Sequence, residues 1–171
     1  MKGTSVHLAQ RTIVKTKEIY DLKTKADGSI DKYKCRLVAK GFSQAEGKDF
    51  DETWAPVSQL LSLRVLLAHA VTHGLDLHHL DVSTAFLASP IDPKFNIFVE
   101  LPSGFAGPNG ARYARLKKSL YGLRQAAHDW FHLQESFIKQ FDSSFVKSES
   151  DLLLYTSFYQ NSLKRTFKTG F

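Results

Sequence analysis

A single cysteine, Cys35, stands in 171 residues. That excludes an internal disulfide and makes a reducing, intracellular compartment the expectation, with cytoplasm and nucleus both open. No apolar run approaches the length of a membrane span, so no membrane is expected among the partners. The N-terminus lacks the apolar core of a signal peptide, which argues against secretion. There is no internal repeat and no low-complexity tract, which excludes solenoids and tail-like arrays. No two aspartates are adjacent anywhere, and no acidic residue follows Asp151.

What is present reads as one globular domain: 43% hydrophobic and 23% charged residues are enough to build and solvate a core. The net charge of +6 is unevenly spread. Residues 1–48 carry 11 basic and 5 acidic groups, residues 49–111 carry 2 and 7, and residues 112–171 carry 10 and 5. Two basic flanks around an acidic middle suit a polyanion partner with divalent metal held between; an uneven solvated surface has the same profile.

Glu18–Leu22 and Tyr33–Val38 alternate around Asp27-Gly28, a pair suited to a tight hairpin turn that needs positive φ. The alternation sets Lys32, Lys34 and Arg36 on one face and Tyr33, Cys35 and Leu37 on the other. Ser58 or Ser62 caps an expected helix that presents Leu63, Leu66, Leu67, Ala70 and Val71 and stops at Gly74. Strands are expected over residues 75–82 and 95–101, and another or an extended arm over 112–118. Leu123, Ala126, Ala127, Trp130, Gln134, Phe137 and Phe141 define the strongest helical face, with Trp130 in the core and His128 and Asp129 exposed. Residues 152–155 suit a strand, and residues 159–171 carry a weak helical pattern. Without regular βαβ alternation the fold class is α+β.

Chemistry gathers at Leu80-Asp81-Val82-Ser83-Thr84-Ala85-Phe86-Leu87, where a carboxylate ends an apolar stretch. Such a group needs a partner, and a divalent cation is one; a turn or cap is the commoner role. His69 and His73 have helical zinc spacing and His78-His79 follow, but no zinc-protease glutamate accompanies them and the adjacent pair points to opposite faces of a strand.

Seven segments occur in one order: residues 33–44, 50–57, 64–68, 77–87, 101–105, 116–126 and 145–151. The set, spanning about residues 17–157, resembles the reverse transcriptase domain of copia-type LTR retrotransposons. The resemblance implies fingers and part of the palm of a right-handed polymerase, with residues 1–16 as an N-terminal extension and 158–171 as a tail. It implies two-metal nucleotidyl transfer with Mg²⁺ or Mn²⁺, and as partners an RNA or DNA template–primer and deoxynucleotide triphosphates. Asp81 then matches the first palm aspartate, and Val82 offers its carbonyl to the nucleotide-bound ion. Phe86 matches the aromatic gate against a ribose 2′-hydroxyl. Lys34, Arg36 and Lys40 are the triphosphate candidates, none singled out. Tyr121-Gly122-Leu123-Arg124-Gln125 resembles the segment beneath the nascent base pair, so Tyr121, Gly122 and Gln125 join the nucleotide site. The family usually has Pro where this chain has Ala127.

The Tyr-Val-Asp-Asp turn that supplies the family's other palm carboxylates is absent; Leu154-Tyr155 is followed by Thr156-Ser157. Residues 161–171 loosely resemble the helix after that turn, which points to an internal deletion or exon loss. With no matching thumb or RNase H region, poor template grip and little polymerase activity are expected. The rival expectations are a non-catalytic nucleic-acid-binding remnant and a pseudogene product without function.

Overall fold

A computed structural model describes residues 12–159 and 162–168, a mixture of helices and strands in which α+β holds. The chain folds as two units, one of residues up to Trp54 with Thr84–Trp130, the other of Ala55–Ser83 with residues from Phe131 onward.

In the first unit, β1 (Ile13–Val14) belongs to residues assigned above to an N-terminal extension, yet Val14 is fully buried in the core. The hairpin follows as β2 (Thr16–Thr24) and β3 (Ile30–Ala39). The turn lies at Asp27-Gly28 as expected, though it is wider than that pair alone. Lys25 and Ser29 close it, only Gly28 takes positive φ (82°), and Asp27 Oδ1 accepts from the Ser29 amide and hydroxyl. Those two bonds hold the Asp27 carboxyl below its ordinary pKa.

A four-residue helix, α2 (Ala85–Ala88), and strands β4 (Phe98–Glu100) and β5 (Tyr113–Arg115) complete this unit's elements, with the start of a long helix described below. β4 is parallel to β1 and antiparallel to β5, and it is shorter than the strand expected over 95–101 because β5 offers it only three partners. Ile97 and Val99 face the core with Val14, Ala39, Ile91, Leu123 and Ala126. Each fully buried aliphatic side chain there contributes about 1.5–3 kcal/mol.

In the second unit, α1 (Leu60–His73) starts after Gln59 with no side-chain cap, so neither Ser58 nor Ser62 plays that part. Gly74 ends it as expected, in the left-handed region, its amide reaching the Ala70 and Val71 carbonyls. The expected apolar face is not buried: Ala70 is, whereas Leu63, Leu67 and Val71 are exposed. Leu60, Leu61 and Val65 are exposed too, because apolar residues run round the whole helix and mark no single stripe.

Residues 75–82, expected as a strand, are irregular and exposed. An apolar run becomes a strand only where a ladder partner takes its amides, and no described strand pairs with it.

The helix α3 (Ala126–Phe141) spans the boundary between the units. Its early residues Ala126 and Trp130 are buried as expected, but the buried set then shifts to Phe131 and Ile138. Phe137 and Phe141 are exposed and stack on each other, centroids 6.4 Å apart. Ile138 packs with Phe145 and Tyr155. Strands β6 (Val146–Lys147), β7 (Leu154–Tyr159) and β8 (Ser162–Lys168) form an antiparallel sheet. The tail is therefore a strand rather than the helix its pattern suggested, since pairing with β7 outweighs a weak intrinsic preference. Residues 160–161 and 169–171 of that expected helix lie outside the described residues.

Glu135 holds the second unit's main ion cluster, with Lys147 Nζ at 2.6 Å and Lys139 Nζ at 3.2 Å. Burial alone raises its pKa, but the bonds to Lys147 and Lys139 outweigh that and hold the carboxyl below its ordinary value. Burial, helped by the Glu135 charge, pushes the Tyr155 phenol up to about 12. A depressed carboxylate stabilises above its unfolded pKa of about 4.3 and loses that contribution as pH falls through the folded value. Glu135→Gln is expected to cost about 1–2 kcal/mol at neutral pH. Denaturant melts of both proteins should converge as the pH is lowered below about 4; a constant gap would count against this role.

Candidate nucleic-acid interface

The β2–β3 register sets Lys17, Ile19, Asp21 and Lys23 opposite Val38, Arg36, Lys34 and Lys32. One face thus carries five cations, Lys17, Lys23, Lys32, Lys34 and Arg36, and one anion, Asp21. Lys23 directly faces Lys32, a pairing that opposes hairpin stability. The charge of Arg36 first, then those of Lys23 and Lys32, holds Lys34 below the ordinary lysine range. The other face carries Tyr20, Leu22, Tyr33 and Cys35, with Glu18 bound by the Tyr20 hydroxyl at 2.5 Å. That bond and the carboxylate's charge push the phenol up to about 12.

The hairpin's base is locked to the Tyr121–Gln125 segment by two glycines. A Cβ on Gly122 (φ 88°) would lie 2.2 Å from the Ala39 carbonyl oxygen, and one on Gly41 would lie 2.2 Å from that of Gly122. Side chains are excluded at this crossing, which lets the Ala39 amide donate to the Tyr121 carbonyl at 2.7 Å. Beside it, Gln44 Nε2 donates to Gln125 Oε1 at 3.0 Å, and Gln44 Oε1 accepts from the Arg124 amide at 2.9 Å. Gln125 Nε2 reaches the Asp49 carbonyl at 3.3 Å, and the Asp49 carboxylate accepts from the Ala45 amide. All three side chains are buried, so this bracket is worth most through what its loss would leave unpartnered.

Phe86, on α2, is half-buried against the first unit's core and meets Tyr121 edge-on, centroids 5.2 Å apart. The left-handed backbone of Thr84 (φ 57°) starts α2; for a β-branched residue that conformation costs about 1–2 kcal/mol. A cleft of about 210 Å³ opens beside Gln125, with Phe50, Phe95, Asp51, Asp92, Lys94 and His128 among its lining residues. Lys94 Nζ lies 2.6 Å from Asp51 and 3.5 Å from Asp92. The Asp51 hydrogen bond foremost keeps its ammonium above the ordinary range.

Of the residues singled out by sequence, the first unit brings together Lys40, Phe86, Tyr121, Gly122 and Gln125, with Lys34 and Arg36 on the hairpin above the glycine lock. Gln125 is turned inward and positions its segment. His128 and Asp129 are half-buried rather than exposed, His128 against the Trp54 carbonyl and Asp129 as acceptor from Ser119. Asp81 and Val82 belong to the second unit, on the exposed irregular stretch. The His69 and His73 rings lie 4.1 Å apart, tilted by 32°, and His73 Nδ1 lies 2.9 Å from the His69 carbonyl, so their helical spacing is used within the helix.

No group of three or more His, Cys, Asp or Glu converges among the described residues. A two-ion centre needs several carboxylate oxygens around both metals, so the donor set present does not fit the Mg²⁺ or Mn²⁺ pair that the resemblance implies. Sequence reasoning missed Lys17, Lys23 and Gln44. The first two share the parity that the hairpin register assigns to Lys32, Lys34 and Arg36, and Gln44 ends the segment quoted above.

Residues 6–163 match the family described as reverse transcriptase (RNA-dependent DNA polymerase). The retrovirus-related Pol polyprotein from transposon TNT 1-94 of Nicotiana tabacum is 40% identical over 144 residues, covering 83% of this chain and 10% of that protein. That from transposon RE2 of Arabidopsis thaliana is 37% identical over 145 residues, 84% of this chain and 10% of that protein. The transposon Ty1-DR4 Gag-Pol polyprotein of Saccharomyces cerevisiae is 30% identical over 116 residues, 68% of this chain and 7% of that protein. The chain spans about a tenth of the length of the curated relatives it matches. No solved structure matches it. No helix among the described residues is long and apolar enough to cross a membrane.

Proposed function

The chain belongs to the reverse transcriptase (RNA-dependent DNA polymerase) family, and from that premise we propose that it supplies the fingers and adjoining palm surface of a copia-type enzyme. It binds template–primer and the triphosphate of a deoxynucleotide, and it does not complete templated synthesis by itself. The observation that carries this reading is the five-cation face of the β2–β3 hairpin, anchored by the glycine lock to Tyr121 and, through it, to Phe86. Like charges set directly opposite each other weaken a hairpin, and phosphates in contact with them relieve that repulsion.

Lys34 and Arg36 donate to phosphate oxygens, and Lys40, at the hairpin's exit, extends the row toward the lock. Phe86 fits a selector that excludes a 2′-hydroxyl: its ring is half-buried and braced by Tyr121. Gly122 lets the hairpin base close on this segment, and Gln125 holds that backbone from behind. The family's divalent ions supply alignment of the 3′-hydroxyl and charge stabilisation when bound. Here Asp81 is the only position matching a palm aspartate, so no catalytic step is assigned to this chain.

Purified protein incubated with primer–template, deoxynucleotides and Mg²⁺ or Mn²⁺ tests both halves. The expected result is salt-sensitive retention of the primer–template with no templated incorporation. Robust incorporation would overturn the catalytic half, and absence of binding at low salt would overturn the interface.

A further inference from the structure

We propose that the outer edge of β2 pairs antiparallel with β2 of a second copy of this chain, joining two hairpins into one four-stranded sheet. Among the described residues β2 pairs only with β3, and residues 17–24 are exposed. A long open edge is a template for another strand unless its sequence opposes pairing.

The two edges of this hairpin differ in that respect. A symmetric antiparallel pair must set one residue opposite its own copy, because opposed side chains share a face. On β3, centring on Tyr33, Lys34 or Cys35 opposes Lys32 to Lys34, Lys32 to Arg36, or Lys34 to Arg36, in each case twice. Every central register of β3 is therefore repulsive.

β2 reads Thr16-Lys17-Glu18-Ile19-Tyr20-Asp21-Leu22 and has a register without that defect. Centred on Ile19, it opposes Lys17 to Asp21 twice and Glu18 to Tyr20 twice, and the pairing stops at Lys17, since the Thr16 hydroxyl donates to the Glu100 carbonyl at 2.8 Å. Glu18 and the Tyr20 hydroxyl already bond each other within one copy, so the same two groups are suited to bonding across the pair. Centring on Glu18 or Asp21 opposes like carboxylates, and centring on Tyr20 opposes Lys17 to Lys23 twice. Centring on Leu22 opposes Asp21 to Lys23 but runs into the irregularity between Lys23 and Thr24.

Repulsion between the two basic faces is the opposing term. The β3 rows of the two copies would stand three strand spacings apart, about 14 Å, and Lys17 and Lys23 of one copy two spacings, about 9.5 Å, from the β3 row of the other. Both exceed the screening length of about 8 Å at physiological salt, whereas Lys17 and Asp21 of opposite copies would be in contact. Contact attraction therefore outweighs the screened repulsion.

Sedimentation equilibrium of the full chain at about 0.15 M salt, over a wide concentration range, tests the pairing. A reversible dimer is expected. Lys17→Glu and Asp21→Lys each create two like-charge contacts and are expected to weaken it about tenfold, and the double variant K17E/D21K to restore it. In a Cys35→Ser background, Ile19→Cys is expected to cross-link to itself on oxidation and Tyr20→Cys not to. A monomer at every concentration would overturn the proposal. So would a dimer indifferent to the charge reversals, the result expected if the exposed apolar residues of α1 drove association instead.

Discussion

Gly122→Ala is expected to destabilise the first unit by about 2–5 kcal/mol, lowering its thermal midpoint by about 10 °C or more. Two costs add at this position. Alanine held at φ 88° loses about 1–2 kcal/mol to the clash inherent in left-handed backbone. The new Cβ also meets the Ala39 carbonyl oxygen at 2.2 Å and Val38 Cγ1 at 2.7 Å, and backbone cannot swing aside as a side-chain tip can. Forcing atoms into such a contact costs about 1–3 kcal/mol more and strains the Ala39–Tyr121 hydrogen bond. Gly28→Ala separates the two terms, because Gly28 has φ 82° and nothing within 4 Å of the added methyl. It should lose only the conformational part. Equal losses for the two variants, measured by denaturant unfolding, would show that the crossing contributes nothing of its own.

This crossing explains how two glycines, which offer no side chain to a ligand, support the proposed interface. Tyr121 and Ala39 are brought within hydrogen-bonding distance because neither Gly41 nor Gly122 has a side chain, and Phe86 then packs on Tyr121. The basic hairpin face therefore has a fixed base, and the Gln44–Gln125 pair keeps the same junction from sliding.

The hairpin was legible because its information is local: strict alternation on both sides of a turn pair. Even so, its basic face was read as three residues, because Lys17 and Lys23 join it only once the register is known, and register depends on a turn longer than Asp27-Gly28 suggested. The first half of α3 was legible for the same reason. Its second half was not, because Phe137 and Phe141 satisfy the helical period as well as Phe131 and Ile138 do, and tertiary packing chose the latter. Residues 75–82 have strand-like composition but lack a ladder partner among the described strands, while 162–168 have a weak helical pattern and gain one. Pairing partners decided both segments, and single-segment reading does not contain them.

Replacing Lys32, Lys34 and Arg36 together by glutamine is expected to weaken single-stranded nucleic-acid binding about a hundredfold at low salt. Each phosphate contact to a single strand contributes about 0.7 to the slope of log affinity against log salt, so loss of three should flatten that slope by about two units. The slope is the more telling quantity, because partial unfolding lowers affinity without a matching change in counterion release. These three residues lie on exposed strand positions or, for Lys34, a half-buried one, so their removal should leave the fold intact; it also relieves the mutual repulsion that lowers the Lys34 pKa. Two controls define the surface. Tyr33→Ala changes the opposite face of the same strand and should leave slope and affinity nearly unchanged. Asp81→Ala lies in the other unit and should do the same, since it removes a carboxylate rather than a phosphate contact. A triple variant that loses affinity with an unaltered slope would place the phosphate contacts elsewhere, and a comparable loss in Tyr33→Ala would point to stacking rather than charge.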